Sequence, residues 1–388
     1  SFTKQILPKY CVNVKLLDRR VVDLRTLDLG DNNIWTLPSE IFCPLYNLKE
    51  LNLTQNRLQD ISNLGFSDWV LEILDMSNNE ISSLPDNGLS SLRALQKLFL
   101  QNNRISNVAD RAFVGLSDLQ VLNMSTNALT ALPPEMFQSS RDIKQIYLNN
   151  NTLRVLAPGL LEGLDQLQIL DLSVNELTSE WINRDTFSGL VRLIVLNLSH
   201  NRVSKIDSLL FQDLNNLQFL SLEYNNVARI ADGAFSNLKN LHSLSLAHNH
   251  IIEVDSGHFS NLYVLNQLFL DGNRITKVDL RSFENITKLH DLDTFVALPS
   301  LQILNLASNN IDQIDDGAFA SNQQLKAIGL DGNKLVDLKG IFTNNQPLVW
   351  LNVSNNELLW FDYSHIPINL EWLDMHENKI EKLEDTRG

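Results

Sequence analysis

The sequence predicts an α/β solenoid, a curved horseshoe whose concave face is a parallel β-sheet. Two observations predict it: a nine-residue motif recurs along most of the chain, and the step between copies is nearly constant. The motif is L-x-x-L-x-L-x-x-N, and its last residue recurs at Asn32, Asn56, Asn79, Asn103, Asn127, Asn151, Asn175, Asn201, Asn225, Asn249, Asn273, Asn309, Asn333, Asn356 and Asn378. The steps are 24, 23, 24, 24, 24, 24, 26, 24, 24, 24, 36, 24, 23 and 22 residues.

The apolar motif positions predict a core shared between neighbouring copies. Leu220 and Leu222 are two residues apart, so they point to one face of a short strand. Leu217 and Val227 reach the core from the flanking turns, and Phe235 fills the convex side. One copy cannot bury this wedge alone, so the copies must stack. This period and motif are the signature of the leucine-rich repeat, with loops and short helical turns on the convex face.

The recurring asparagine is predicted to be structural and to bind no ligand. Its amide offers donors and an acceptor without a charge. Asn225 can therefore donate to the backbone of one coil and accept from the next, and its equivalents form a buried ladder along the array. Loss of one such residue is expected to leave buried backbone groups unpaired, at roughly 1–3 kcal/mol each.

Composition narrows the classes of function. The net charge of −15 argues against a nucleic-acid partner and favours a basic partner if the charge is clustered. No apolar run is long enough to span a membrane, and the first residues lack the apolar core of a signal peptide. Glycine-rich phosphate loops, G-x-S-x-G and H-E-x-x-H are missing from the sequence. We therefore predict no enzyme, cofactor or metal site, and we interpret His248 and His250 as turn residues.

One step breaks the period. The 36 residues from Asn273 to Asn309 amount to one and a half periods, with the irregularity near residues 289–300. A half-copy cannot stack, because it lacks its own turn and ladder position. Two interpretations remain: an irregular loop, or residues missing between Asp293 and Thr294, which we favour.

The ends of the chain also depart from the repeat. Residues 1–23 are expected to form a cap-like or discontinuous segment before an array of about 15 copies over 24–388. The last copy ends without a cysteine cluster, so we expect a fragment whose C-terminal cap, transmembrane and cytoplasmic domains are absent. The two cysteines, Cys11 and Cys43, make one bridge or pair outside this chain.

Six N-x-S/T sequons are candidate glycosylation sites: Asn52, Asn123, Asn150, Asn197, Asn285 and Asn352. Four of them, at 52, 123, 197 and 352, lie between the two strand leucines and so on the concave face. In a cytosolic protein they are only variants of the repeat. In a secreted protein their glycans would block a flat partner there.

Aromatic side chains on the concave strands are candidate partner-binding residues: Phe99, Tyr147, Phe219, Phe269, Trp350 and Trp372. Exposed aromatic residues are typical anchors of interfaces. The alternative is that they cover neighbouring side chains or face missing repeats. Trp350 and Trp372 share one strand position in successive copies, which predicts a separation of about 5 Å.

Several stretches go beyond a generic repeat. "LDLGDNNIWTLPSEIFCPLYNLKELNLTQNRLQDISNLGF", "NRDTFSGLVRLIVLNLSHNRV", "LYVLNQLFLDGNRI" and "WFDYSHIPINLEWLDMHENKI" resemble the ectodomains of insect Toll receptors. The resemblance runs from about Leu27 to the end and is greatest to the long-ectodomain subgroup that includes eighteen-wheeler. It implies the extracellular part of a type I, single-pass receptor at the plasma membrane, and it is the main reason to expect secretion and N-linked glycans.

The resemblance also implies partners. These are a dimeric cystine-knot cytokine of the Spätzle type or another cell-surface protein, with a possible receptor homodimer and signalling by dimerisation or clustering. In the family, the equivalent of Cys43 pairs with a cysteine in an insertion after "GF". This sequence lacks the insertion, which leaves Cys11 as an alternative partner. The competing hypotheses are an adhesive or structural repeat protein without signalling, and an intracellular scaffold.

Overall fold

The computed structural model describes residues 23–38, 41–42, 45–61, 70–255, 257–278, 298–342 and 345–384. The chain forms two compact units: residues 1–177 with 189–193, and residues 178–188 with 194–388. In each unit, one short strand per repeat pairs in parallel with the strand of the next repeat. The predicted leucine-rich repeat solenoid with a parallel sheet is confirmed.

The first unit contains nine strands in the part of the chain described. They are β1 (Thr26–Asp28), β2 (Glu50–Asn52), β3 (Ile73–Asp75), β4 (Ser83–Leu84), β5 (Lys97–Phe99), β6 (Asn107–Val108), β7 (Val121–Asn123), β8 (Gln145–Tyr147) and β9 (Ile169–Asp171). The sheet follows the order β1-β2-β3-β5-β7-β8-β9. Strands β4 and β6 make a separate short pair that the sequence analysis did not anticipate.

The second unit repeats this plan. Its strands are β10 (Val195–Asn197), β11 (Lys205–Ile206), β12 (Phe219–Ser221), β13 (Arg229–Ile230), β14 (Ser243–Ser245), β15 (Gln267–Phe269), β16 (Lys277–Val278), β17 (Ile303–Asn305), β18 (Gln313–Ile314), β19 (Ala327–Gly329), β20 (Trp350–Asn352), β21 (Trp360–Asp362), β22 (Trp372–Asp374) and β23 (Lys382–Glu384). The sheet order is β10-β12-β14-β15-β17-β19-β20-β22, and β11-β13, β16-β18 and β21-β23 form side pairs. A 3-10 helix covers Tyr363–His365.

Each strand of the sheet ends because the backbone turns at a fixed motif position. The central strand leucine, such as Leu220, is buried, while its two neighbours remain accessible. Four residues after Leu220, at position eight of the motif, the backbone is left-handed, with φ of 52° at Tyr224. Extended pairing cannot continue through that conformation. Position eight has φ of 51–57° at Asp31, Gln55, Asn78, Asn102, Thr126, Asn150, Val174, His200, Tyr224, His248, Ser308, Asn355 and Glu377.

Phenylalanine rings fill the side of each coil away from the sheet. In the second unit, Phe187, Phe211, Phe235 and Phe259 are fully buried and stack in succession. Their successive ring centroids are 6.3, 5.9 and 6.1 Å apart. The spacing of one ring per coil produces a continuous aromatic core, which is the packing that the sequence pattern predicts.

The motif asparagines form a hydrogen-bonded ladder. The Asn225 Nδ2 donates to the carbonyls of Leu222 and Glu223 in its own coil, at 3.0 and 3.2 Å, and to that of Leu198 at 2.9 Å. Its Oδ1 accepts from the Val203 N–H at 3.0 Å. The sequence predicts that the amide oxygen of each ladder asparagine accepts a hydrogen bond from the next coil. In the structure, both bonds that leave the coil go to the preceding one.

The irregular step leaves the sheet and the ladder uninterrupted. Strand β15 pairs in register with β17, with Leu268 opposite Leu304. Asn309 donates to the Leu270 carbonyl at 3.0 Å and accepts from the Ile275 N–H at 3.0 Å, as in a regular copy. The additional residues therefore fall within 279–297, outside the described residues, and the interpretation of missing residues stays a prediction.

Other predictions also fall outside the described residues: the segment 1–22, both cysteines (Cys11 and Cys43) and the sequon at Asn285. Within the described ranges, no helix combines the length and the apolar character that crossing a membrane requires.

Candidate partner-binding face

The six predicted aromatic candidates lie on the sheet but do not form one patch. Phe99 and Tyr147 lie two strands apart, with Asn123 between them. Phe219 and Phe269 are likewise separated by a strand. Trp350 stacks on Trp372, with ring centroids 4.7 Å apart and the planes 2° from parallel, close to the predicted separation. Trp372 is 42% exposed and lies on the last strand in the order of the sheet.

The four sequon asparagines on strands all make the same turn. Each Oδ1 accepts a hydrogen bond from the backbone N–H two residues later, at 2.9–3.1 Å: Asn52 from Thr54, Asn123 from Ser125, Asn197 from Ser199 and Asn352 from Ser354. Asp75 accepts from the Ser77 N–H in the same way at 2.9 Å. The repeat geometry therefore favours Asn or Asp at position five whether or not a glycan is attached.

The sequon at Asn150 has a different setting. Asn150 lies at the left-handed position eight, with φ of 55°, and is exposed. Its Nδ2 donates to the Thr126 Oγ1 at 3.2 Å, one repeat earlier. A glycan on this nitrogen would compete with that contact and stand just beyond the C-terminal end of β8.

A stack of three rings at position eight was missed by the sequence analysis. Tyr224 lies between His200 and His248, with centroid distances of 4.4 and 4.2 Å and interplanar angles of 9° and 14°. The left-handed backbone recurs at this position, so side chains from successive coils project in parallel. The next coil has Gly272, where a Cβ would lie 2.3 Å from the His248 Nδ1. The glycine thus leaves room for the last ring.

Beside this stack is a pocket of about 340 Å³. Its lining is Glu223, Tyr224, Ser245, Ala247, His248, Phe269, Asp271 and Asn305. Glu223 and Asp271 occupy position seven in alternate coils, and the small side chain of Ala247 lies between them. Two strand spacings, about 9.6 Å, separate the two acidic positions. The Ser245 Oγ donates to the Glu223 Oε2 at 3.3 Å, which helps to orient that carboxylate.

The electrostatics of the pocket oppose a negative charge at Asp271. Burial raises the pKa of Asp271 most, and the nearby charges of Glu223 and Asp331 raise it further. A hydrogen bond from its own backbone and the charge of His248 act in the opposite direction on this pKa. The His248 Nε2 is 3.7 Å from the Asp271 Oδ2, longer than a hydrogen bond. The pocket lining thus contains two acidic residues and no lysine or arginine.

Asp232, Asp255 and His258 form a second polar cluster, with potential ligand atoms within 4.8 Å of one another. His258 is buried, and its Nδ1 accepts a hydrogen bond from the Asp255 N–H at 3.3 Å. This hydrogen bond lies within the loop that carries both residues. We therefore assign the cluster to the stability of its turn.

A family model for the leucine-rich repeat matches the sequence over residues 23–81, 93–153, 124–177, 141–203, 175–227, 191–251, 220–275, 239–293 and 275–335. These matches cover more than half of the chain. The chain belongs to the leucine-rich repeat family. The asparagine ladder and the phenylalanine core recur from repeat to repeat, whereas the Trp pair and the acidic pocket each occur at one place in the described residues.

This leucine-rich repeat chain is similar to Toll-like receptor 7 of Drosophila melanogaster, with 55% identity over 53 residues. That match covers 14% of the chain and 4% of the receptor. It is also 37% identical to bovine osteomodulin over 87 residues, which is 22% of the chain and 20% of osteomodulin. The chain is therefore a leucine-rich repeat protein related to Toll receptors.

Solved structures show the same fold. Glycosylated Toll from the Drosophila Toll–Spätzle complex aligns with a TM-score of 0.80 and 22% identity, over 94% of this chain and 49% of the Toll chain. A leucine-rich repeat protein of Leptospira interrogans aligns with a TM-score of 0.74 and 27% identity, over 93% of this chain and 92% of that protein. The chain spans about half of the Toll chain and a smaller share of the two named relatives.

Proposed function

We propose that this chain is an extracellular ligand-recognition region of a Toll-type transmembrane receptor, which signals in development or innate immunity when a protein partner dimerises or clusters it. The observation that carries the proposal is the 55% identity to Toll-like receptor 7 over 53 residues. The Toll fold is shared over nearly the whole chain, and Toll is bound to Spätzle in the matched structure. The proposed partner is accordingly a Spätzle-type cystine-knot cytokine.

The architecture suits recognition of a protein. A stacked array presents a broad, preformed surface, so binding it costs little ordering entropy. The stacked Trp350 and Trp372 provide a rigid aromatic anchor on that surface. Nothing in this role requires a catalytic residue, a cofactor or a metal, and we propose a binding function without enzymatic activity.

Light scattering on the secreted, glycosylated protein tests the proposal, alone and mixed with a panel of Spätzle-type cytokines. We expect a complex of defined mass with at least one cytokine, and its ratio reports whether the ligand dimerises the receptor. No complex with any of them would contradict the cytokine proposal and favour adhesion between cell-surface proteins. A protein that is dimeric alone would show a self-contact, the second partner expected from the resemblance.

Two substitutions then locate the contact. Trp372→Ala removes half of the aromatic pair and, if the partner covers the sheet near β22, should weaken binding by about tenfold or more. Ile252→Ala is the matched control, because Ile252 is 55% exposed, lies outside the strands and belongs to a repeat five copies before that of Trp372. Equal affinities of the two variants would exclude the Trp pair from the interface.

A further inference from the structure

We infer that the pocket between Glu223 and Asp271 binds the cationic side chain of a protein partner, most favourably an arginine. This deepens the proposed function, on which it rests only for the partner being a protein. It names the chemistry that the partner must present at this point of the sheet: a basic side chain long enough to reach between two coils.

The geometry of three successive coils makes the pocket. Position seven carries an acidic side chain in the coils of Glu223 and Asp271, and alanine in the coil between them. Ser245 and Ala247 belong to the coil between the two acidic residues, and their small side chains leave the space above that coil open. The gap of about 9.6 Å between the two acidic positions leaves room for one planar guanidinium with a carboxylate on either side.

A cation in the pocket would stabilise the charged forms of Glu223 and Asp271. Asp271 is half-buried, and its pKa is raised by that burial and by the charges of Glu223 and Asp331. A bound guanidinium would offset the repulsion among these carboxylates and replace part of the lost hydration. The net charge of the chain, −15, adds attraction at longer range for a basic partner.

The aromatic walls favour arginine over lysine. Phe269 and the stacked rings of Tyr224 and His248 all line the pocket. A guanidinium is planar and weakly hydrated, so it can pack against ring faces while donating to carboxylates in its own plane. An ammonium group is compact and strongly hydrated, and it gains less from such walls.

The test uses small probes, so it does not depend on any cytokine. Protein labelled with ¹³Cε1-histidine is titrated with N-acetyl-arginine methylamide, and the resonance lost in His248→Gln reports on the pocket. N-acetyl-citrulline methylamide is the control probe, because it has nearly the same shape without the charge. We expect the arginine probe to shift the His248 resonance with a saturable, millimolar affinity, and the citrulline probe to leave it in place.

Variants separate the pocket from the overall charge. Asp271→Asn combined with Glu223→Gln should weaken arginine binding by about tenfold or more. Asp312→Asn removes a charge at an exposed site outside the pocket and should leave the affinity unchanged. Retained ring-current shifts of the His200–Tyr224–His248 stack show that each variant is folded.

Three results would overturn the inference: equal shifts with both probes, no loss of affinity in the double variant, or saturation by calcium chloride where the arginine probe fails. The last result would assign the carboxylates to a metal ion. Failure of the cytokine experiment leaves this one intact, since the probes act without the cytokine. Conversely, if a cytokine binds the protein but the arginine probe does not, the proposed function stands and this inference fails.

Discussion

Two asparagines of one repeat, Asn352 and Asn356, have opposite roles although they are four residues apart. The Asn356 amide is buried and donates to the carbonyls of Leu330, Val353 and Ser354, at 2.9–3.1 Å. Its Oδ1 accepts from the Leu335 N–H at 3.0 Å. Asn352 uses only its Oδ1 in the corresponding turn, where it accepts from the Ser354 N–H at 3.0 Å.

The difference teaches which positions of the repeat are free to vary. Position nine satisfies backbone groups of two coils and is asparagine in all fifteen copies. Position five satisfies one N–H in its own coil and is Asn, Asp, Ser, Phe, Tyr or Gly. At position five, a short side chain with an oxygen acceptor can cap this N–H, and the copies with Phe, Tyr or Gly have no such side chain there. Recognition residues and glycans can therefore be placed at position five, whereas position nine is reserved for the framework.

The largest effect is expected from Asn225→Ala. The substitution leaves the buried Val203 N–H without an acceptor. It also removes one donor each from the carbonyls of Leu198, Leu222 and Glu223, which keep their bonds from Asn201, Asn249 and the His200 N–H. The expected cost is about 1–3 kcal/mol in the free energy of unfolding. Urea unfolding followed by circular dichroism measures the loss. Asn226→Ala is the control, because Asn226 is the exposed neighbour. Equal midpoints for the two variants would show that the ladder is dispensable.

A much smaller effect is expected from Asn352→Asp. Asp374 makes the equivalent bond in the next coil, accepting from the His376 N–H at 3.0 Å. The change in unfolding free energy should thus stay within about 0.5 kcal/mol. Intact mass of the secreted protein tests the predicted glycan: Asn352→Asp and Ser354→Ala should both lose the mass of one glycan. Unchanged masses would show that this sequon is unmodified.

The smallest effect is expected on stability from Asp374→Asn, although the pKa of His376 should respond clearly. The Asp374 carboxylate accepts from the His376 Nδ1 at 2.7 Å, and this hydrogen bond raises the pKa of His376 above 6.5, with burial opposing it. Below that value both folded and unfolded histidine are protonated, so the bond stabilises the fold fully. The contribution is lost as the pH rises through the folded pKa.

Histidine NMR titration measures this shift directly. In Asp374→Asn the amide still caps the turn, as Asn352 does one coil earlier, but it no longer carries the charge that holds the proton on His376. The pKa of His376 should fall toward 6.5. The other histidines serve as an internal reference. A pKa that stays raised in the variant would assign the shift to Glu377 and Asp331 instead.

The framework of the molecule could be predicted because it depends on recurring residues. The period places each leucine, phenylalanine and motif asparagine without knowledge of its neighbours in space. Trp360 and Phe361 show the limit: they are adjacent in β21, and Phe361 is buried while Trp360 is half-buried. The repeat pattern does not show which of these two aromatic side chains faces the core.

The pocket could not be predicted for a related reason. Its residues occupy positions seven and eight, whose identities vary from copy to copy. The stack of Tyr224 between two histidines depends on a left-handed backbone at residues that rarely adopt it. From the sequence, His248 was only a turn residue. The signal is the pair of acidic residues at position seven of alternate copies together with the aromatic residues at position eight of successive copies.

The ladder has a direction, and this gives the array an order of assembly. The amide of Asn225 closes the coil before its own, through Leu198 and Val203, and Asn249 in turn closes the coil of Asn225 through Leu222 and Val227. During synthesis, each repeat that leaves the ribosome delivers the side chain that completes the repeat already made. The chain can thus be sealed coil by coil from its N-terminal side, with only the newest coil left open at any moment.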